Sequence, residues 1–139
     1  MISLVLDASI TLCWCFEEEA TTATDQLLER LQADSAAVPM FWHLEVANVL
    51  ALAERHRRIT QADTAEFIDL LETLMIDLDP ETPGRAFGRV LDLARGQRLT
   101  AYDAAYLELA MRLGIPLATK DRALSDAASR LGVAVLGAD

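Results

Sequence analysis

Five short apolar runs separated by stretches of helical periodicity constrain this chain more than any other feature. Leu4-Val5-Leu6 reads as a buried strand, and Ala36-Ala37-Val38, Met75 to Leu78, Ile115 to Ala118 and Val133 to Leu136 fit four further strands. Between the first two, Ile10 to Phe16 begins a helix, and Thr24 to Leu31 carries Leu27, Leu28 and Leu31 at the offsets of one helix face. Phe41 to about Arg57 reads as strongly helical. Thr60 with Asp63 predicts an N-terminal cap for a helix lined by Phe67, Leu70, Leu71 and Leu74. Phe87, Val90, Leu91 and Ala94 mark another helix, expected to close at Gly96. Thr100 opens the next, to about Leu113, stopped by Gly114 and Pro116, and Asp121 opens a last one ended by Gly132. Strands alternating with helices predict an α/β fold, a parallel sheet covered on both faces. No linker, repeat or low-complexity stretch divides the chain, so residues 1–139 are expected to form a single domain.

A chain of 139 residues buries roughly 68% of its unfolded surface, enough for a core without disulfides or structural zinc. Cys13-Trp14-Cys15, placed on a helix, would point its two thiols to nearly opposite sides, which disfavours a disulfide and suggests small buried apolar residues. No apolar run reaches the ~18 residues of a membrane span, because Glu45 and Asn48 interrupt the richest stretch, Leu44 to Ala53. The opening Met1-Ile2-Ser3-Leu4 lacks a basic leader, and a cytoplasmic location is expected. The net charge of −10, with 11 of the 12 basic residues Arg, excludes attraction to nucleic acid by bulk charge. Any such contact has to be local.

Four carboxylates stand out by position. Asp7 follows the first strand and Asp121 the fourth, so both fall at the carboxyl edge of the sheet, where open α/β folds bind ligands. Glu45 lies among Leu44, Val46, Ala47, Val49, Leu50 and Ala51, a costly place for an unpartnered charge. Asp103 sits in the first turn of the helix opened by Thr100. Each has a plainer reading. Asp7 and Asp121 can be simple helix caps, Asp103 can complete a capping box with Thr100, and Glu45 can sit on a partly exposed helix edge. If the four converge, two carboxylates about 4 Å apart repel by roughly 4 kcal/mol at an effective dielectric of 20. A divalent cation removes that cost, and an all-oxygen donor set suits Mg²⁺ or Mn²⁺, whereas zinc favours Cys or His. Ser9 and Thr119, two residues from Asp7 and Asp121, add hydroxyls that could orient a carboxylate or serve turns. His43 and His56 read as helix-surface residues.

Leu6-Asp7-Ala8-Ser9, the stretch Pro39 to Leu50 with Glu45-Val46-Ala47-Asn48, Leu99-Thr100-Ala101-Tyr102-Asp103-Ala104-Ala105-Tyr106, and Pro116-Leu117-Ala118-Thr119-Lys120-Asp121 occur in the order and spacing of the signatures of PIN-domain ribonucleases. The chain resembles that family, and within it the VapC-like toxins of type II toxin-antitoxin pairs. The resemblance implies a three-layer α/β/α fold with a five-stranded parallel sheet in the order 3-2-1-4-5. It implies a Mg²⁺-dependent endoribonuclease, with Mn²⁺ a plausible substitute. Asp7, Glu45, Asp103 and Asp121 would be both metal ligands and catalytic residues, supported by Ser9 and Thr119. It further implies an RNA substrate, a VapB-like antitoxin that silences the site, and a homodimer.

Arg55, Arg57 and Arg58, and then Arg85, Arg89, Arg95 and Arg98, are either RNA or partner contacts or complements to helix dipoles. Glu17-Glu18-Glu19 is expected to be solvated. Trp14, Phe16, Phe41 and Trp42 belong to the core or to an aromatic groove for an antitoxin segment. Three other readings compete: a non-catalytic PIN-fold module binding RNA or protein, an aspartyl phosphatase, and a phospho-receiver domain. The phosphatase pattern wants a second Asp where Ser9 stands. The receiver pattern could use Lys120, the only Lys, but leaves Asp77 or Asp79 as a poor acceptor.

Overall fold

The computed structural model describes residues 1–137. The strands are β1 Ile2–Leu6, β2 Ser35–Pro39, β3 Ile76–Asp79, β4 Leu117–Ala118 and β5 Val135–Leu136, all parallel, in the order β3-β2-β1-β4-β5. This is the expected α/β/α sheet and order. Leu4, Val5 and Leu6 of β1 and Ala36, Ala37 and Val38 of β2 are buried, as continuous apolar runs must be when helices cover both faces. The last two strands are shorter than their apolar runs suggest, with Ile115 and Val133 lying ahead of the paired residues.

The helices are α1 Ala8–Cys13, α2 Thr22–Arg30, α3 Trp42–Arg55, α4 Gln61–Glu72, α5 Thr82–Arg85, α6 Leu91–Gln97, α7 Ala101–Leu113 and α8 Arg122–Arg130. A 3₁₀ turn, Glu17–Glu19, precedes α2, and a π-helical turn, Ala86–Val90, joins α5 to α6. Helix α7 is the central one: every residue from Ala104 to Ala110 is buried, and it packs against β1, β2 and β4. Thr60 and Asp63 form the expected reciprocal cap of α4, and Gly114, at φ +67°, ends α7. Among the described residues no helix is long and apolar enough to cross a membrane.

Four local expectations are corrected. The first helix stops at Cys13, so Trp14 is its C-cap and Cys15 lies beyond it; Cys13 is buried and Cys15 half-buried. Gly96 lies inside α6. The helix ends at Arg98, whose φ of +56° lets the Leu99 N–H reach the Ala94 carbonyl, a left-handed termination made here without glycine. Phe87 does not face the core; it is 94% exposed, because the π-helical turn rotates the apolar stripe at that point. The Glu17–Glu19 run is not merely solvated: Glu18 and Glu19 pair with Arg58, whose guanidinium stacks 3.6 Å from the centre of the Phe16 ring. Arg58, though exposed, is thus engaged by side chains of its own chain.

At the carboxyl end of β3, Asp79 is buried and accepts from Thr82 Oγ1 at 2.8 Å and from Arg112 at 2.7 and 3.1 Å. Arg112 also binds Glu108 one turn earlier on α7, at 3.0 Å, and Glu81 at 3.2 Å. Burial alone would raise the Asp79 pKa, but the Arg112 and Thr82 hydrogen bonds outweigh it and hold the carboxyl below its ordinary range.

Candidate active site

Asp7 is the first residue past β1 and occupies the N-cap position of α1, yet its side chain makes no cap hydrogen bond. The capping explanation therefore fails for Asp7. Its Oδ2 instead accepts from Thr119 Oγ1 at 2.6 Å and Ser9 Oγ at 2.8 Å. Each hydroxyl is aimed from behind. The Asp121 N–H donates to Thr119 Oγ1 at 3.0 Å and the Lys120 N–H donates to Ser9 Oγ at 2.9 Å, so each hydroxyl proton is left for Asp7. The pairing of β1 with β4, and the Asp7 N–H bonded to the Ala118 carbonyl at 3.0 Å, bring these distant segments together. Ser9 and Thr119 thus both orient Asp7.

Asp121 does cap α8, its Oδ1 accepting from the Leu124 N–H at 2.8 Å. Asp103 stands in the first turn of α7. The Thr100 hydroxyl accepts from its N–H at 3.1 Å, but the Asp103 side chain does not return the bond, so the box stays half made. Glu45 is half-buried on α3, a partly exposed helix position as its plainer reading has it, and there receives the Tyr106 hydroxyl at 2.6 Å. His43 and His56 are exposed, and His43 rests edge-on against Trp42.

Asp7, Glu45, Asp103 and Asp121 together line one recess of about 310 Å³, with Ser9 and Asn48 beside them. Among the described residues none of the four has an ion-pair partner, and the electrostatics follow. Burial raises the Asp7 pKa despite its two hydroxyl donors, with a further push from Asp121. Burial likewise raises Glu45 against the lowering bond from Tyr106, and Asp7 adds to the rise. Asp103 is pushed up to about 6, first by desolvation and then by the charges of Asp121, Asp7 and Glu45. Desolvation, with Asp7 and Glu45 nearby, raises the Tyr106 phenol far above its ordinary value and keeps it a donor.

This donor set is all carboxylate oxygen, uncompensated and mutually repelling, which fits a hard divalent cation that retains several of its waters. Among the described residues no three His, Cys, Asp or Glu side chains stand close enough, as placed, to clasp one ion together. Five of the six residues singled out in the sequence nevertheless line the one recess, and Thr119 is bonded to Asp7 behind it. Tyr106 was missed as a member. Its signal was the spacing: three residues after Asp103, it shares that helix face.

The sequence model of the PIN domain matches residues 4–129. Among solved structures, the chain is similar to PAE2754 from Pyrobaculum aerophilum, at 23% identity and a TM-score of 0.70, over 96% of this chain and 83% of that one. It is also similar to a chain of a toxin-antitoxin complex from Klebsiella pneumoniae, at 17% identity and a TM-score of 0.59, over 97% of this chain and 96% of that one. At these identities the likeness is one of fold. No curated protein matches the chain in sequence.

Proposed function

Because the chain belongs to the PIN domain family, a nuclease fold, we propose that it is a Mg²⁺-dependent endoribonuclease and the toxin of a type II toxin-antitoxin pair. The observation that carries this reading is the recess itself: four carboxylates from four separate segments, with no ion-pair partner among the described residues, at the carboxyl edge of the sheet. Asp7, Glu45, Asp103 and Asp121 would hold one or two ions. A bound ion supplies the positive charge that activates a water and stabilises charge growing on the scissile phosphate and the departing oxygen. Ser9 and Thr119 keep Asp7 in one orientation, and the ion offsets the local repulsion between an acidic pocket and an RNA backbone. The fold of the Klebsiella pneumoniae toxin-antitoxin chain supports an antitoxin partner, here of the VapB kind. A groove of about 600 Å³, in which Trp14, Phe16, Phe67 and Leu70 stand beside Glu17, Glu18, Asp63, Glu66 and Arg58, offers such a segment a mixed, predominantly charged seat. A homodimer and a cytoplasmic site of action complete the reading.

The test is RNA cleavage by purified protein in Mg²⁺. Cleavage is expected to vanish with EDTA, with Asp7→Asn and with Asp103→Asn. Turnover that survives all three would falsify the catalytic assignment. Protein that binds RNA or an antitoxin tightly, but neither binds Mn²⁺ nor cleaves, would mark a non-catalytic module instead.

A further inference from the structure

Asp103 and Tyr106 lie three residues apart on α7 and hence on one face, but at different depths. Asp103 opens to the recess, whereas Tyr106 is fully buried one turn deeper and reaches across to α3. Its ring is held on the far side by Phe41, packed edge-on at a centroid distance of 5.6 Å and an interplanar angle of 86°. Phe41 is also the N-cap of α3, and its carbonyl accepts the Glu45 N–H at 3.0 Å. Backbone, ring and hydroxyl thus form a closed frame around one carboxylate. The Tyr106 hydroxyl donates to Glu45 Oε1, and among the described residues Oε2 receives no hydrogen bond while Glu45 lines the recess.

From this frame we infer that Tyr106 is a positioning residue for divalent-cation binding, holding Glu45 with one oxygen occupied and the other available to the ion. The inference rests on the proposed metal site and adds to it the group that prepares one of its ligands. A long, half-exposed Glu side chain loses rotamer freedom when it ligates. The phenol imposes that loss during folding, so binding does not have to. Donors behind metal ligands commonly change metal affinity 10- to 100-fold.

The experiment is calorimetric titration of the full chain with Mn²⁺ alone, comparing wild type, Tyr106→Phe, Tyr102→Phe, Glu45→Gln and Phe41→Leu. Tyr106→Phe removes a single oxygen, and Glu45 keeps access to water, so the fold is retained. Its Mn²⁺ affinity is expected to fall at least tenfold. In cleavage assays the half-saturating Mg²⁺ rises to match, and the maximal rate recovers at high Mg²⁺, a rescue that general loosening would not give. Tyr102→Phe changes an exposed ring and leaves affinity unchanged. In a Glu45→Gln background, Tyr106→Phe has no further effect. Unaltered Mn²⁺ affinity in Tyr106→Phe, with Glu45→Gln weakened, overturns the positioning role and leaves the metal site standing; unaltered affinity in Glu45→Gln overturns the metal-site reading itself. Should Tyr106→Phe misfold, Phe41→Leu decides, since it frees the ring while keeping the hydroxyl: weaker Mn²⁺ binding supports the role and wild-type binding refutes it.

Discussion

Asp7 and Asp79 begin alike and end opposite. Each is buried at the carboxyl end of a parallel strand, and each accepts from a threonine hydroxyl, Thr119 at 2.6 Å and Thr82 at 2.8 Å. Asp79 then meets Arg112, which also binds Glu108 and Glu81, and its pKa is held down. Asp7 meets no cation among the described residues, faces other carboxylates across a recess, and its pKa is pushed up. Helix α7 serves both places, presenting Asp103 near its N-terminal end to the recess and Glu108 and Arg112 near its C-terminal end to the closed network. A buried acid whose charge is answered within the fold is architecture. One whose charge is left unanswered, yet hydrogen-bonded into place, is what the proposed metal site requires.

The contrast breaks first at Arg112. Arg112→Met leaves Asp79 and Glu108 buried without a cationic partner and is expected to destabilise the protein by about 3–5 kcal/mol in chemical denaturation; a loss below about 1 kcal/mol would mean that the network contributes little. Next, Asp7→Asn should cut RNA cleavage by at least about 100-fold, equivalent to about 2.7 kcal/mol of barrier. Its stability should stay level or rise, because it removes a buried charge that no ion pair among the described residues neutralises. An Asp7→Asn protein that unfolds more easily than wild type would place Asp7 with Asp79 as architecture.

Divalent ion separates the regions again. At about 100 times its dissociation constant, Mg²⁺ should stabilise wild type by about 2.7 kcal/mol, seen as a higher melting temperature, and should do little for Asp103→Asn. The smallest effect is in pH dependence. Folded Asp103 titrates at about 6 against 3.8 for the free residue, so folding takes up a proton in that window. Its contribution is fully present below the unfolded pKa and is lost as pH rises through about 6. Asp79, held low, works the other way, contributing above its unfolded pKa and losing that contribution on acidification. In EDTA, the melting temperature of wild type relative to Asp103→Asn is therefore expected to fall between pH 4 and 7, and Mg²⁺, replacing the proton, should remove that fall. A flat difference in EDTA would show that Asp103 is not under the pressure of its neighbours.

Much of this was legible before any coordinates. The apolar run Leu4-Val5-Leu6 and the interrupted helix around Glu45 announce strand and helix by period and length alone, and the Thr60–Asp63 cap is local chemistry that needs no tertiary partner. Gly96 and Phe87 misled for different reasons: the left-handed turn that ends the helix falls on Arg98, a residue that gives no such signal, and the π-helical turn shifts the phase at Phe87, which a 3.6-residue template cannot register. The bonds made by Tyr106, Thr119 and Arg112 span 61, 112 and 33 residues, distances at which one chain carries no local trace of a contact.

The chain by itself determined which segments become strands and helices, that four acids fall near strand ends or helix starts, and that their oxygens suit a hard cation, because periodicity, capping and donor type are local properties. Only the tertiary structure decided which acids are neutralised and which are not. Asp79 and Asp7 each close a strand-forming run, and the difference in their charge state depends on whether a guanidinium or another carboxylate lies across the gap, since Coulomb energy follows distance through space and burial, not position along the chain.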